Sequence, residues 1–367
     1  MTNDGEPRVP VRLTSTPDFT PEELALAARN HGMPLEALRW DITPAGLHYL
    51  LIHYDIPVVD PARWALEISG RVARPLRLSL EDLTARPSRT VTVTMECAGN
   101  GRARFMPRAL SQPWLLEAVG TAEWTGVPLR DVLDEAGVLD DAVELVFTGL
   151  DRGAEVDGVV EAYERALEVP AAMGDDVLLA YRINGVALPP QHGFPLRLVV
   201  PGWYGMGNVK WLCGIRAVPE PFTGFQNRVS YRLRQRADEA GSPVTRMEPR
   251  ALMIPPGDPD FLTRRRLMAP GPCPLFGRAW SGWGPVVAVE VSVDGGVTWD
   301  EAKLGADRDS PYAWRPWTYD WEAAGPGEYE LCCRARDGSG RTQPVEAGWN
   351  LHGFANNTVQ RVSVTVR

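Results

Sequence analysis

The sequence predicts an α+β domain over about residues 1–235 followed by a β-sandwich over about residues 245–367. Three observations predict it. The chain has 367 residues, beyond the roughly 250 to 300 at which a single hydrophobic core stops growing. Helix and strand signals are mixed as far as about Val200, whereas later segments read as short strands separated by Gly-rich turns. Between them, from about Pro219 to Arg250, Arg234, Arg236, Asp238 and Glu239 interrupt any apolar period, and the domain linker is expected there.

The first helix is announced at Thr20-Pro21-Glu22-Glu23, where Thr20 caps, Pro21 suits the first helical position and Glu23 completes a capping box. A second is signalled at Ser79-Leu80-Glu81-Asp82-Leu83 and a third from Pro128 to Ala136, stopped by Gly137. Thr90 to Met95 alternates β-branched and apolar residues, then breaks at Glu96-Cys97-Ala98-Gly99-Asn100-Gly101-Arg102, so a strand delivers Cys97 into a loop. Asn184-Gly185 between Leu178–Tyr181 and Val186–Leu188 marks a two-residue hairpin, and Leu196 to Val200 reads as a buried strand. In the second part Val287–Val293 and Tyr329–Ala335 alternate with Asp294-Gly295-Gly296 and Asp337-Gly338-Ser339-Gly340, the spacing of a sandwich. No internal repeat or low-complexity tract occurs.

The composition, 44% hydrophobic and 23% charged, is that of an ordinary globular protein. A net charge of -9 argues against nucleic-acid binding, which needs a concentrated basic surface. The basic run Arg264-Arg265-Arg266 reads as a solvated loop face. No stretch of about 18 apolar residues suggests a membrane span, and Met1 to Leu13, with Asp4, Glu6 and two prolines, is unlike an export signal. Five cysteines without a Cys-x-x-Cys pair make a disulfide framework or zinc site improbable and point to a reducing cytoplasm. The six tryptophans between Trp280 and Trp321 read as core or interface packing rather than an electron path.

Cys97 is the residue with the most chemistry in prospect. It closes a strand, precedes two glycines and has Arg102 five positions later, a cation expected to favour the thiolate, which is a soft metal ligand. Taken alone it reads first as a small buried residue. Gly99-Asn100-Gly101 is too short for a nucleotide loop.

Larger words change that weighting. Glu96-Cys97-Ala98-Gly99-Asn100, Glu123-Trp124-Thr125-Gly126-Val127-Pro128-Leu129, His192-Gly193-Phe194-Pro195-Leu196-Arg197 and Pro201-Gly202-Trp203-Tyr204-Gly205 with Val209-Lys210-Trp211-Leu212 together resemble the sulfite oxidase family of molybdopterin enzymes. Ser292-Val293-Asp294-Gly295-Gly296-Val297-Thr298-Trp299 resembles that family's immunoglobulin-like dimerisation domain. The resemblance implies a homodimeric molybdenum-cofactor oxidoreductase with Cys97 as metal ligand and molybdopterin as the other soft donor. His192, Arg197 and Lys210 match cofactor-anchoring positions, Gly205 and Asn208 border a stretch of backbone able to approach the phosphate, and Asp55 replaces a family histidine near the cofactor. Arg102 and Trp114 match substrate-side positions, and Tyr231 matches the tyrosine beside the reactive centre. His53 and His352 stand where sulfite oxidases carry arginines, and with ordinary pKa values near 6.5 they would gain charge below about pH 6.

The resemblance further implies oxidation of a small oxo-anion, sulfite above all, with electrons leaving to a separate partner because no haem-domain histidine motif is present. A reductase of a sulfoxide, N-oxide or nitrate is the alternative within the same chemistry. A catalytically inactive binding protein is the alternative from another class.

Overall fold

The computed structural model describes residues 11–155, 158–306 and 310–367. Of the stretch Met1–Leu13 read for export signals, residues 1–10 lie outside the described residues. The first helix, Pro21–Arg29, starts as its residues dictate. The Thr20 hydroxyl accepts from the Glu23 N–H at 3.2 Å, and the Glu23 carboxylate accepts from the Thr20 N–H at 3.0 Å. The other Glu23 oxygen pairs with Arg108, both side chains 1% exposed, so this cap also ties the helix to the loop that follows Cys97.

Strand Arg89–Glu96 lies at one edge of a five-stranded antiparallel sheet, beside Val119–Pro128, which pairs with Leu178–Ile183. The hairpin Leu178–Ile183 to Val186–Ala187 turns on Asn184 and Gly185 at φ 49° and 79°, as an Asn-Gly turn requires. Arg197–Val199 pairs with the other edge of Leu178–Ile183. A second five-stranded sheet runs Leu76–Ser79, Ala65–Gly70, Leu212–Val218, Glu144–Ala154, Val160–Glu168, with Leu212–Val218 parallel to Ala65–Gly70. Helix Leu129–Ala136, ended by Gly137, buries Leu129, Val132, Leu133 and Ala136 in the core shared by both sheets.

In the second half a four-stranded sheet containing Arg250–Met253, Gly271–Trp280 and Arg315–Ala323 faces a six-stranded sheet containing Val286–Ser292, Gly327–Asp337 and Gln360–Val366. Val289, Leu331, Trp317 and Val364 fill the space between, an immunoglobulin-like β-sandwich. Trp280, Trp314 and Trp317 are fully buried. Among the described residues no helix is long and apolar enough to cross a membrane.

Residues 219–250 do not form the open linker that their polarity suggests. Gln226, Val229, Tyr231, Arg234, Val244 and Met247 are buried. The arginines find main-chain acceptors instead of water: Arg232 donates to the Gly241 carbonyl at 2.6 Å and Arg234 to that of Arg228 at 2.8 Å. A third apolar core then joins the two halves, with Met33, Leu38, Ala98 and Tyr204 from the first packed against Leu252, Trp280, Trp314 and Phe354 from the second.

Beside that seam core lies the Glu96 carboxylate, 1% exposed and 3.0 Å from the equally buried Arg250. It also accepts from the Trp280 indole at 2.9 Å and from Asn100 Nδ2 at 3.0 Å. Removing one member of a buried ion pair leaves the other charge uncompensated. Arg250→Met is expected to lower unfolding free energy by about 3–5 kcal/mol in urea titration, and a loss under about 1 kcal/mol would show that the pair does not anchor the seam.

Candidate active site

Cys97 leaves the sheet where pairing stops. Glu96 is opposite Val119 in the last registered pair, and the Cys97 N–H donates to the Ala118 carbonyl at 2.9 Å. The following turn is tight for a stated reason: a Cβ on Gly99 would stand 2.7 Å from the Arg102 guanidinium, and Gly101 sits at φ 89°. Asn100 holds the turn from below, donating to Leu116 O at 3.0 Å and accepting from Ala118 N–H at 3.1 Å.

Cys97 opens onto a cavity whose far wall is cationic. His48, His192, Arg197 and Lys210 line it with Asp151, Gly205 and Asn208. Arg197 donates to the His192 and Asn208 carbonyls, each at 3.2 Å, and lies 4.5 Å over the Trp124 ring, while its Nε has no partner. Lys210 Nζ donates to Leu51 O at 2.7 Å. Asn208 is fixed by accepting from Val200 N–H at 2.7 Å and donating to Tyr204 O at 3.1 Å.

These cations are crowded and desolvated. Burial, then Arg197, lowers Lys210 to about 7, and burial lowers Arg197 to about 10. His192 falls to about 2 through burial and the neighbouring His48, whose ring centroid is 5.7 Å away. Asp151 is raised to about 6 by burial, opposed by Lys210. A wall of this kind is stabilised by an incoming anion, and its orphaned Arg197 Nε is a donor awaiting one. At the other end stands a thiol, the donor that a soft metal takes. The residues therefore fit a phosphate-bearing, metal-chelating cofactor. Among the described residues no three His, Cys, Asp or Glu side chains gather as a metal cage, so the protein offers a single thiol rather than a full ligand set.

The Cys97 thiol itself departs from expectation. Burial raises its pKa more than Arg102 lowers it, so a metal must displace its proton.

On the substrate side the structure joins most of the predicted residues through one that sequence reading missed, Phe354. Its ring stacks on Tyr231 at 5.0 Å and on His352 at 5.6 Å, and the Arg102 guanidinium lies 5.1 Å above it. Arg102 also donates to the His352 carbonyl at 2.8 Å and to Gln112 O at 3.2 Å. His53 Nε2 is 2.6 Å from the Tyr231 hydroxyl. Tyr231 is buried, held raised in pKa by burial and the nearby Cys97, with Arg165 at 5.4 Å behind its ring. Trp114 packs in the same apolar cluster as Cys97, and its indole is among the groups that favour the thiolate.

Two expectations are corrected. Asp55 does not face the cavity: its side chain is 96% exposed and pairs with Arg29 at 3.3 Å. The chain turns outward after His53, with the Tyr54 hydroxyl drawn to Glu155 and its carbonyl to Arg29 at 2.6 Å. Nor do the histidines keep ordinary pKa values. His53 is exposed toward the cavity, yet desolvation by the surrounding walls, then Lys210 and Arg102, lowers it to about 4, and burial, then Arg102, does the same to His352. His48, Asp151, Tyr163 and Phe354 were not singled out from sequence. Only fold-level proximity reveals them, since none stands in a distinctive local pattern.

Replacing Arg197 and Lys210 together by Ala is expected to reduce bound molybdenum to less than about a tenth of the wild-type content, measured by elemental analysis of purified protein. Full molybdenum content in that variant would remove both residues from cofactor retention.

With this geometry in hand, comparison with known proteins is specific. The model of the oxidoreductase molybdopterin binding domain matches residues 53–226, and that of the Mo-co oxidoreductase dimerisation domain matches residues 244–367. Sulfite oxidase of Gallus gallus is 38% identical over 351 residues, covering 87% of this chain and 72% of that protein. Nitrate reductase [NADH] 1 of Arabidopsis thaliana is 32% identical over 386 residues, covering 97% of this chain but 41% of that protein. The chain spans 62% of the length of the mammalian sulfite oxidases it matches. The crystal structure of the sulfane dehydrogenase SoxCD from Paracoccus pantotrophus superposes with a TM-score of 0.78 and 27% identity, covering all of this chain and 93% of that one.

Proposed function

Because the chain belongs to the sulfite oxidase family of molybdopterin-dependent oxidoreductases, we propose that it oxidises sulfite to sulfate and passes the electrons to a separate acceptor. The observation that carries this reading is the single cavity in which the Cys97 thiol, the cationic wall of Arg197 and Lys210, and the His53–Tyr231 pair meet. The bound cofactor supplies two-electron oxygen-atom transfer at molybdenum; the protein supplies binding, orientation and electrostatics. Cys97 holds the metal. His192, Arg197, Lys210, Gly205 and Asn208 hold the pterin phosphate.

Arg102 supplies the permanent charge that draws an anion, while Phe354 covers one face of its guanidinium. The raised pKa of Tyr231 keeps its hydroxyl protonated as a hydrogen-bond donor. With Nε2 carrying the proton, His53 donates to the Tyr231 oxygen and leaves that O–H directed at the substrate.

One observation favours a second reading. Neutral His53 and His352 leave less charge than two arginines would, which suits a sulfoxide, an N-oxide or singly charged nitrate, and a relative named nitrate reductase is among the matches. The inactive binding protein has no such support, since the thiol and its cations are all retained. We further propose a homodimer formed through the sandwich, supported by the matching dimerisation domain, and a reducing cytoplasmic setting, supported by five unpaired cysteines.

Purified enzyme assayed with sulfite and an artificial electron acceptor is expected to turn over, and Cys97→Ser to lose at least about 100-fold in kcat because a hard hydroxyl replaces the soft ligand. Turnover of a sulfoxide, an N-oxide or nitrate with a reduced dye, and none of sulfite, would reverse the direction of the assignment. The histidines give a second test. A pKa lowered to about 4 leaves each neutral from pH 6 to 8.5, so neither gains charge as pH falls through that range. His53→Arg and His352→Arg are therefore expected to lower sulfite KM by a similar factor, about 3- to 30-fold, at every pH between 6 and 8.5. A gain confined to the alkaline end would mean that the wild-type histidines do titrate there.

A further inference from the structure

In the run Arg264-Arg265-Arg266, the first two side chains are exposed, as a solvated face would be, but Arg266 is buried. The run forms one wall of a groove of about 690 Å³ on the outside of the seam between the two halves, facing Arg104, Leu115 and Glu117 from the first half and Arg361 from the second. Five guanidinium groups thus meet two carboxylates, Glu36 and Glu117, in a chain whose overall charge is -9.

The arginines are not equivalent. Arg265 pairs with Glu328 at 2.5 Å, and Arg361 pairs with Glu330 at 2.6 Å and Glu346 at 3.2 Å. Arg104 and Arg264 make no salt bridge among the described residues. Arg266 is 7% exposed, its Nε has no partner, and among the described residues its side chain makes one long hydrogen bond, to Gly257 O at 3.5 Å. Burial and the adjacent Arg264 cation lower its pKa, with Glu36 opposing them. The buried Arg266 guanidinium with an idle N–H is costly unless a charge arrives to meet it, and the exposed, unpaired Arg104 and Arg264 beside it are free to join in doing so. Glu117 is partly spent already, accepting from the Leu116 N–H at 2.7 Å.

We propose that this groove is a second anion-binding site, separate from the catalytic cavity, in which Arg104, Arg264 and Arg266 take a small polyvalent oxo-anion such as phosphate or sulfate. Planar guanidinium forks converging from two elements suit the oxygens of a tetrahedral anion. The volume is that of a small-molecule site rather than of a single-ion slot, leaving room for a substituent on the anion. The site is built on the back of the catalytic loops: Arg104 lies two residues beyond Arg102, and the Ala103 N–H donates to the Trp114 carbonyl at 3.0 Å just before Leu115 turns outward.

The test is calorimetric titration of the full-length protein with sodium phosphate, and then sulfate, with ionic strength held constant by chloride. One saturable site per chain is expected, weakened about tenfold or more by Arg104→Gln combined with Arg264→Gln, both exposed positions where folding is not at stake. Arg266→Gln should weaken it as much, and Arg197→Ala with Lys210→Ala should leave it intact. Phosphate binding that survives the groove substitutions but disappears with Arg197 and Lys210 would place the anion in the cofactor cavity and overturn the proposal. So would the absence of saturable heat up to about 10 mM anion, and so would binding of a poly-glutamate peptide without binding of either inorganic anion.

Discussion

A single buried carboxylate holds the site in place. Glu96 immediately precedes Cys97, and its two oxygens are divided among Arg250 and Trp280 of the second half and Asn100 of the catalytic turn. A carboxylate so buried is tolerated only when every oxygen is met, which fixes its partners as rigidly as it is fixed by them. Arg250 in turn donates to the Asn356 carbonyl, and Asn356 Nδ2 donates to Gly101 O at 2.8 Å. The Ala355 N–H closes the ring on Ala98 O at 2.8 Å. The loop that carries the thiol and the loop that carries His352 and Phe354 are therefore one polar assembly spanning both halves.

The electrostatics of the cavity are divided by distance from the thiol. Toward the deep end the side chains are cations held against their own desolvation, with Asp151 the acid in the lining. On the substrate side, behind the lining residue Tyr231, the packing is aromatic, and Arg102 is anchored by two main-chain carbonyls rather than by carboxylates. A guanidinium satisfied by neutral acceptors keeps its full charge for an incoming anion, where a salt bridge would have cancelled it. Histidines beside it, kept neutral, shape the pocket without adding to its field.

The sequence was most informative where local rules decide the outcome. The capping box at Thr20 and Glu23, the Asn184-Gly185 turn, the stop at Gly137 and the strand ending at Cys97 all follow from backbone preferences within a few residues. It was least informative where a polar segment is buried by distant partners. Tyr231 sits among Arg232, Arg234 and Arg236 and reads as linker, yet its ring is covered by Phe354, more than a hundred positions away. Asp55 failed for the opposite reason, since family position placed it inward while the local turn and Arg29 draw it out. The histidine pKa values were out of reach because desolvation depends on what surrounds a ring, and Arg266 was misread because charge runs usually lie in water.

The ring of bonds from Cys97 to Asn356 also sets an order of events during synthesis. Cys97 leaves the ribosome some 250 residues before the loop that must brace it, and strand Arg266–Met268 waits for its parallel neighbour Gln360–Val366 to be made. Until Asn350–Asn357 has emerged, the Cys97 turn lacks three of its bracing contacts, and Tyr231 lacks the ring that covers it. A chain made as far as Tyr231 thus already carries every residue that lines the cavity, from His48 onward, before the contacts that brace its thiol turn exist.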